Sequence, residues 1–230
     1  MSGKFLIILL IIGLGLGFLV YSRRNKTEDT LVPPVTTTTD GTAIMMEDGA
    51  GGPPTTYTDG TYTLDTNASS IAWTGSKTLI KNYEDHGTLS FSGGTVAVES
   101  GVVTSGTFTV DMNSFNVTTT GRGSGNDMLE GHLKSEDFFE VATYPTATIE
   151  LVSVANGSVT ADVTIKGITK QVTFPATISE DGTALVGNAS LVIDRTNWDI
   201  QYGSTKFFGN LGDNVIDDKV TLVLTLRATR

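Results

Sequence analysis

From Thr61 onward, the chain alternates apolar and polar residues with a period of two, and this pattern limits the fold more than any other feature of the sequence. The alternation is most regular over residues 159–165, 172–178, 185–193 and 220–228. The intervening residues are mostly Thr, Ser, Asp, Lys or Arg, as expected when one face of a strand is apolar and the other meets water. Helical periodicity is almost absent, so the pattern predicts an all-β domain of antiparallel strands.

Turn-forming residues divide this region into strands. Lys166–Thr169 and Glu180–Thr183 have the composition of hairpin turns. Earlier strands are expected over residues 70–75, 87–92, 102–113 and 144–154. The segment Gly125–Phe139 interrupts the pattern and predicts one or two short helices. A meander of about eight strands forms a barrel or a sandwich, and we expect an eight-stranded barrel, because closure removes exposed strand edges and this size can enclose one slender ligand.

The N-terminal residues predict a membrane segment. Phe5–Tyr21 is an unbroken apolar run, and at ~1.5 Å per residue it reaches roughly 25 Å, the lower limit for a spanning helix. A cleaved signal peptide is the alternative, but no A-x-A-like site follows and Arg23-Arg24 stands where cleavage is expected, which favours an uncleaved anchor over residues 1–24. The count of flanking basic residues places the large domain in the cytoplasm, whereas the composition of the rest of the chain is typical of an exported domain. We expect a membrane-anchored barrel on the extracytoplasmic side, periplasmic or at the cell surface, and leave the conflict over orientation open.

Residues 25–60 predict a flexible linker. The stretch is rich in Thr, Pro and Gly and has almost nothing that could form a core. Such a segment cannot bury enough surface to offset its ordering entropy. The expected organisation is therefore an anchor over 1–24, a disordered spacer over 25–60 and one β-barrel domain over 61–230.

Charge and composition exclude several functions. The net charge is −10, and the chain from Thr61 onward contains 19 acidic and 11 basic residues. This excess of negative charge argues against a nucleic-acid partner. The absence of cysteine excludes disulfides, thiolate metal sites and cysteine nucleophiles. No nucleophile elbow, phosphate loop or dinucleotide fingerprint is present, so we expect neither an enzyme nor a bound cofactor.

Several short motifs between Thr61 and Arg230 resemble those of the YceI-like family. They are Tyr62-x-Leu64-Asp65, Ile71–Gly75, His86-Gly87, Gly131–Phe139, Tyr144–Thr148, Ile165–Lys170 and Asp194–Ile200. The most specific is His-Leu-Lys-Ser-Glu-Asp-Phe-Phe followed by Tyr-Pro-Thr. The resemblance implies a lipocalin-like antiparallel barrel, usually exported, with an apolar tunnel that in some members holds a polyisoprenoid chain. The fold transfers more safely than the cargo, because one fold can serve many functions.

Alternation and aromatic content suggest which residues line such a tunnel. The candidates are Phe91, Phe108, Val110, Phe138, Phe139, Ile149, Ile165, Phe174, Ile193, Trp198, Leu222 and Leu224. Phe138 and Phe139, at the end of the helical insertion, either line the tunnel or plug the core. Large aromatics such as Trp73 and Trp198 more often act as ordinary core anchors.

Two polar features have simpler structural explanations. His86 and His132 lack metal-ligand spacing, so structural hydrogen bonding is favoured over a metal site. Arg195, beside Asp194, is read as a buried paired charge, with a lipid headgroup contact at the rim as the alternative.

Two functions remain. The first is a non-catalytic protein that carries or sequesters a long apolar lipid of the polyisoprenoid or isoprenoid quinone class inside the barrel. The second is a structural or adhesive surface module with a filled core and no ligand. The expected partners are the isoprenoid lipid and a membrane, and a homodimer is possible from the general frequency of two-fold assembly.

Overall fold

The computed structural model describes residues 56–120 and 125–230. The predicted anchor and nearly all of the predicted linker lie outside these residues, so that division of the chain stays a prediction. Over the described ranges, no helix is long and apolar enough to cross a bilayer.

Within the described ranges, nine strands and one α-helix make up the regular structure. The strands are β1 Gly60–Leu64, β2 Ser70–Ser76, β3 Glu84–Glu99, β4 Val102–Val117, β5 Thr146–Ala155, β6 Ser158–Ile165, β7 Ile168–Asp181, β8 Ala184–Asp194 and β9 Lys219–Thr229. The helix is α1 Gly125–Lys134, and two short 3₁₀ helices, Arg195–Trp198 and Gly212–Asn214, lie between β8 and β9.

The strands close into an eight-stranded antiparallel barrel, because β1 and β2 share one position in the ring. Both lie between β3 and β9: β1 pairs with residues 95–98 of β3, and β2 with residues 84–90 of the same strand. From β3 onward, each strand pairs with the next one along the chain through β9. The predicted barrel with a short helical insertion is thus confirmed.

The two ends of the barrel differ in their connections. At one end, which we call the hairpin end, tight turns join β3 to β4, β5 to β6, and β7 to β8. At the other, the helical end, longer connections contain α1 and the 3₁₀ helices. The β5–β6 turn at Asn156-Gly157 and the β6–β7 turn at Lys166-Gly167 have two successive positive φ values, as a type I′ turn requires.

β3, β4 and β7 are longer than the alternation predicts, and β3 shows the cause most clearly. β3 begins at Glu84 and ends at Glu99, although only residues 87–92 show a regular pattern. Register shifts between Thr88 and Ser90 and between Phe91 and Gly93 break the period of two. β4 continues to Val117 for the same reason, since each shift changes which residues face inward.

Candidate ligand-binding cavity

An apolar cavity occupies the half of the barrel next to the hairpin end. Its volume is about 80 Å³, and about 680 Å³ when all the space between the surrounding atoms and the part continuous with solvent is counted. Sixteen of the eighteen residues that border it are apolar or glycine, and the other two are Thr177 and Asn188. The apolar and glycine residues are Leu64, Val96, Val103, Phe108, Ile149, Leu151, Val159, Phe174, Ala176, Ile178, Leu185, Gly187, Ala189, Leu224, Leu226 and Ala228.

The cavity exists because small residues occupy inward positions of neighbouring strands. Ala176 on β7 pairs with Ala189 on β8, and Gly187 lies two residues before Ala189 on the same face of β8. Ala228 supplies another small inward side chain on β9. Large inward side chains on all eight strands would fill a barrel of this size. Because these positions carry small residues instead, part of the bore is left empty.

The helical half of the barrel is filled by aromatic side chains. Trp73 and Phe115 meet edge to face with ring centroids 6.3 Å apart, and Phe115 stacks obliquely on Phe139 at 4.9 Å. Phe91 contacts Phe108 at 6.2 Å, where the filled region meets the cavity. The bore is therefore packed in its helical half and partly empty in the half next to the hairpin end.

The predicted tunnel residues divide between these two regions. Phe108, Ile149, Phe174 and Leu224 border the cavity. The other eight predicted residues lie in or against the packed core and do not border it: Phe91, Val110, Phe138, Phe139, Ile165, Ile193, Trp198 and Leu222. Whether any of the twelve contacts a ligand stays a prediction.

The sequence analysis did not select most of the small or terminal residues of the cavity wall. Ala176, Gly187, Ala189 and Ala228 belong to the regular alternations, but a search for large apolar candidates passes over them. The usable signal was a cluster of Ala and Gly at inward positions of β7 and β8. Leu64 and Val103 lie at strand ends, where the alternation is too short to be recognised.

The helical insertion closes the filled end. Phe138 is buried, and its ring lies 4.9 Å from that of His132 and 5.4 Å from that of Tyr202. The His132 Nε2 atom lies 3.1 Å from Asp137 Oδ2, which ties the end of α1 to the segment after it. Phe138 thus plugs the core in this structure.

Arg195 is a buried cation that fixes the connection between β8 and β9. Its guanidinium donates to the carbonyl oxygens of Ile200 at 2.7 Å, Asp217 at 3.0 Å and Ile216 at 3.2 Å. Its ionic partner is Asp218 at 3.5 Å, not the neighbouring Asp194 of the sequence reading. The Arg195 guanidinium therefore stabilises the fold at the helical end and lies away from the cavity.

Asp194 belongs to the same ion-pair network, because Lys206 contacts both Asp194 and Asp218, the latter at 3.2 Å. Asp194 Oδ2 accepts from Lys206 at 2.7 Å and from Lys219 at 3.4 Å, and its Oδ1 accepts from the Thr196 hydroxyl at 2.6 Å. Burial alone would raise the pKa of this carboxyl, but the hydrogen bonds from Lys206 and Thr196 outweigh it and hold the pKa well below its ordinary value.

The remaining sequence candidates have structural contacts. Trp198 is buried and donates its indole N–H to the Val163 carbonyl at 3.1 Å. His86 Nδ1 lies 3.1 Å from the Thr74 hydroxyl on the neighbouring strand. Across residues 56–120 and 125–230, no three His, Cys, Asp or Glu side chains are grouped so as to hold a metal ion.

Polar groups meet at the hairpin end, beyond the cavity. The Tyr62 hydroxyl, on a fully buried side chain, donates to the Thr58 carbonyl at 2.7 Å and lies 3.2 Å from Glu180 Oε1. The Thr58 amide donates to Glu180 Oε2 at 3.2 Å. Hydrogen bonds from Thr58, and then from Tyr62, lower the pKa of Glu180, whereas burial raises that of Tyr62.

Three comparisons with known proteins agree with this architecture. A family model described as "YceI-like domain" matches residues 62–228. A UPF0312 protein of Staphylococcus aureus strain N315 is 34% identical over 84 residues, which cover 34% of this chain and 49% of that protein. Protein YceI of Escherichia coli O6:H1 is 36% identical over 88 residues, covering 34% of this chain and 46% of its own length. The chain thus spans about half the length of these curated relatives.

Two solved structures share the fold. BcnA of Burkholderia cenocepacia is 23% identical with a TM-score of 0.56, and the match covers 72% of this chain and 99% of that one. A polyisoprenoid binding domain from Saccharophagus degradans, implicated in plant cell wall breakdown, is 20% identical with a TM-score of 0.54, covering 73% and 97%. At these identities the likeness establishes the barrel architecture alone.

Proposed function

The chain belongs to the YceI-like domain family, and from that premise we propose that its barrel binds a long apolar lipid of the polyisoprenoid class, which it carries or sequesters without catalysing a reaction. The observation that carries this proposal is the cavity, whose wall is almost entirely hydrocarbon. The ligand would be stabilised by removal of its apolar surface from water, at about 25 cal/mol per Å². Each ~100 Å² of ligand surface that is buried would contribute about 2.5 kcal/mol before the ordering costs of binding are subtracted.

Two further observations support the ligand class. The wall consists of aliphatic and aromatic side chains from many strands, which suits a slender hydrocarbon better than a polar metabolite. In addition, a neighbour with the same fold is a polyisoprenoid binding domain, which makes a prenyl chain the first ligand to test.

A non-catalytic role is favoured by the composition of the cavity wall. Among the residues that border it, none carries a titratable side chain that could transfer a proton or attack a substrate. The alternative of a structural module with a filled core is disfavoured, because such a module would have no need of small inward residues such as Gly187 and Ala189.

The cellular setting forms part of the proposal. We place the barrel outside the cytoplasm, tethered by residues 1–24 through the linker over 25–60, where it could exchange lipid with the adjacent membrane. A flexible linker of this length has a root-mean-square span of roughly 30 Å, which keeps the barrel close to the bilayer.

Extraction of the purified full-length chain with organic solvent, followed by mass spectrometry, tests for a bound lipid directly. A prenyl lipid present in proportion to the protein is the expected result. An extract without lipid, together with no gain in thermal stability on addition of isoprenoid quinones, would contradict the proposal.

A pair of substitutions in β8 tests whether the cavity is the binding site. Ala189→Leu adds a side chain on the inward face and is expected to weaken binding of all-trans-retinol, a fluorescent isoprenoid alcohol, at least tenfold. Ser190→Leu adds the same side chain on the exposed face of the same strand and should bind retinol like the unmodified chain. Equal affinities for the two variants, with unchanged circular dichroism, would place the ligand elsewhere.

A further inference from the structure

Residues Thr56–Asp59, which we call the N-terminal strap, run along the hairpin end just before β1. The Tyr57 amide donates to the Gly101 carbonyl at 2.9 Å, and the Gly101 amide donates to Asp59 Oδ1 at 2.7 Å. Thr56 packs closely on the same turn, since a Cβ added to Gly101 would lie 3.1 Å from the Thr56 Cβ. These contacts hold the strap to the β3–β4 turn.

The strap is also bonded to the opposite side of the ring. The Tyr57 hydroxyl donates to the Ile178 carbonyl at 3.2 Å, and the Thr58 amide donates to Glu180 Oε2 at 3.2 Å. Ile178 and Glu180 belong to β7, which lies four strand positions from β3 in either direction around the eight-stranded ring. The contacts of the strap therefore lie across the end of the barrel.

The cavity begins directly beneath these contacts. Ile178 bonds the strap through its carbonyl and also borders the cavity. Tyr62, which donates its hydroxyl to the Thr58 carbonyl, pairs on β3 with Val96, another residue of the cavity wall. The Arg230 guanidinium lies over the Tyr62 ring, 5.6 Å from its centroid.

The bonds that hold the strap can be exchanged for water without disturbing the barrel. Thr56–Asp59 precede the first ladder pair of β1, Gly60 with Val98, so their release breaks no strand pairing. Their partners at Gly101, Ile178 and Glu180 are half-buried groups at the rim, and hydrogen bonds that water can replace contribute little net stability. The hydroxyl of the buried Tyr62, once released from the Thr58 carbonyl, keeps Glu180 Oε1 at 3.2 Å as a partner. A segment with few, solvent-exchangeable contacts is the part of a fold that opens most readily.

We propose that the N-terminal strap is the gate of the lipid cavity: the ligand enters and leaves at the hairpin end when Thr56–Asp59 detach from Gly101 and β7. This inference rests on the proposed lipid-binding function. It gives residues immediately after the linker control over ligand exchange, so that loading depends on the state of the chain segment that leads to the predicted membrane anchor.

A reversible crosslink tests the gate. Because the chain has no cysteine, Thr56→Cys combined with Gly101→Cys introduces the only two thiols, at positions whose Cβ atoms would lie 3.1 Å apart. This separation is slightly shorter than in an ordinary disulfide, and Gly101 has a φ of +77°, so the Gly101→Cys single variant also measures the strain of that substitution. In the purified full-length chain, oxidation is expected to slow the association and release of all-trans-retinol at least tenfold, and reductant should restore both rates. Each single cysteine variant, treated with the same oxidant, serves as the control.

A second variant tests the gate without a crosslink. Glu180→Ala removes the acceptor of the Thr58 amide and is expected to accelerate retinol exchange several-fold, with a smaller effect on the equilibrium affinity. Glu150→Ala removes an exposed carboxylate from β5 and should leave the rates unchanged.

The outcomes separate the two proposals. If retinol binds but its exchange rates are unaffected by both the crosslink and Glu180→Ala, the gate is wrong and the lipid-binding function stands. If neither the unmodified chain nor any variant binds retinol and solvent extraction yields no prenyl lipid, both proposals fail.

Discussion

At Gly87, the barrel has no room for a side chain. A Cβ there would lie 2.4 Å from the Asn116 carbonyl oxygen and 2.5 Å from Cζ2 of Trp73. The first neighbour is backbone, which cannot rotate away, and the second is a buried ring in the packed half of the bore. The His86-Gly87 pair of the sequence is thus explained by the close approach of β3 to Trp73 and β4.

Gly87→Ala is therefore expected to lower the free energy of unfolding by about 2 kcal/mol, the usual cost of overpacking a core. Chemical denaturation followed by circular dichroism measures the change. Gly93→Ala is the matched control on the same strand, because a Cβ at Gly93 has nothing within 4 Å. A similar loss at both positions would show that crowding is not the cause.

The sequence predicted which side chains point into the barrel, but it did not predict which of them border the cavity. Alternation correctly assigned Phe108, Ile149, Phe174 and Leu224 to the inner face, and all four border the cavity. Phe91 and Ile193 also face inward, but they lie in the filled region. Whether an inward position borders empty space depends on the summed volumes of side chains from eight strands, which no single strand reveals.

Among the elements, the tight turns follow local chemistry closely. Lys166 and Gly167 form a type I′ turn with φ values of 50° and 70°, and Asn156 and Gly157 form another with 52° and 73°. Asn adopts positive φ more readily than Lys, so Lys166 suits the first position of its turn less well than Asn156 suits the same position of the other turn. The Lys166 ammonium gains only a long contact of 3.5 Å to the Asp199 carbonyl.

Exchange of these residues between the turns tests the argument. Lys166→Asn is expected to raise the free energy of unfolding by about 0.5 kcal/mol, and Asn156→Lys to lower it by a similar amount. Both are read from urea denaturation midpoints. Shifts of the same sign in the two variants would contradict the assignment to turn conformation.

Elements with an unbroken pattern were predictable, and those held by distant contacts were not. β6 to β9 follow from alternation and turn residues alone. β3 was seen only in part, because Gly93-Gly94 and the register shifts interrupt its period. The connection from Arg195 to Asp218 shows no periodicity, since its shape is set by guanidinium bonds to carbonyl groups at Ile200 and Ile216.

At the scale of the whole molecule, the ion pairs around Asp194 link stability to pH. The folded chain holds the pKa of Asp194 well below its ordinary value, so the carboxylate stabilises the fold above the unfolded pKa, near 3.9. That contribution is lost as the pH falls through the folded pKa, because the unfolded chain takes up the proton first. Acid should weaken the fold accordingly.

We expect the free energy of unfolding to decline from about pH 4 downward, with a smaller decline in Asp194→Asn, which is also less stable at neutral pH. Urea denaturation at a series of pH values measures both. Asp213→Asn, at an exposed residue of the same connection, should retain the acid dependence of the unmodified chain. An Asp194→Asn profile that parallels the unmodified one would place the acid sensitivity at other carboxylates.

Pro175 marks the point at which β7 changes its pairing partner in the barrel wall. β7 pairs with β6 as far as Pro175 and with β8 only from Ala176 onward, and proline has no N–H with which to extend the second ladder. No ladder pair joins Ile168–Pro175 to β8, so these strands separate toward the helical half of the barrel, where Phe174 is the one residue of this stretch that borders the cavity. Six ladder pairs, from Ala176–Ala189 to Asp181–Ala184, keep the wall closed beside the cavity, so any parting of β7 from β8 is confined to the packed half of the barrel.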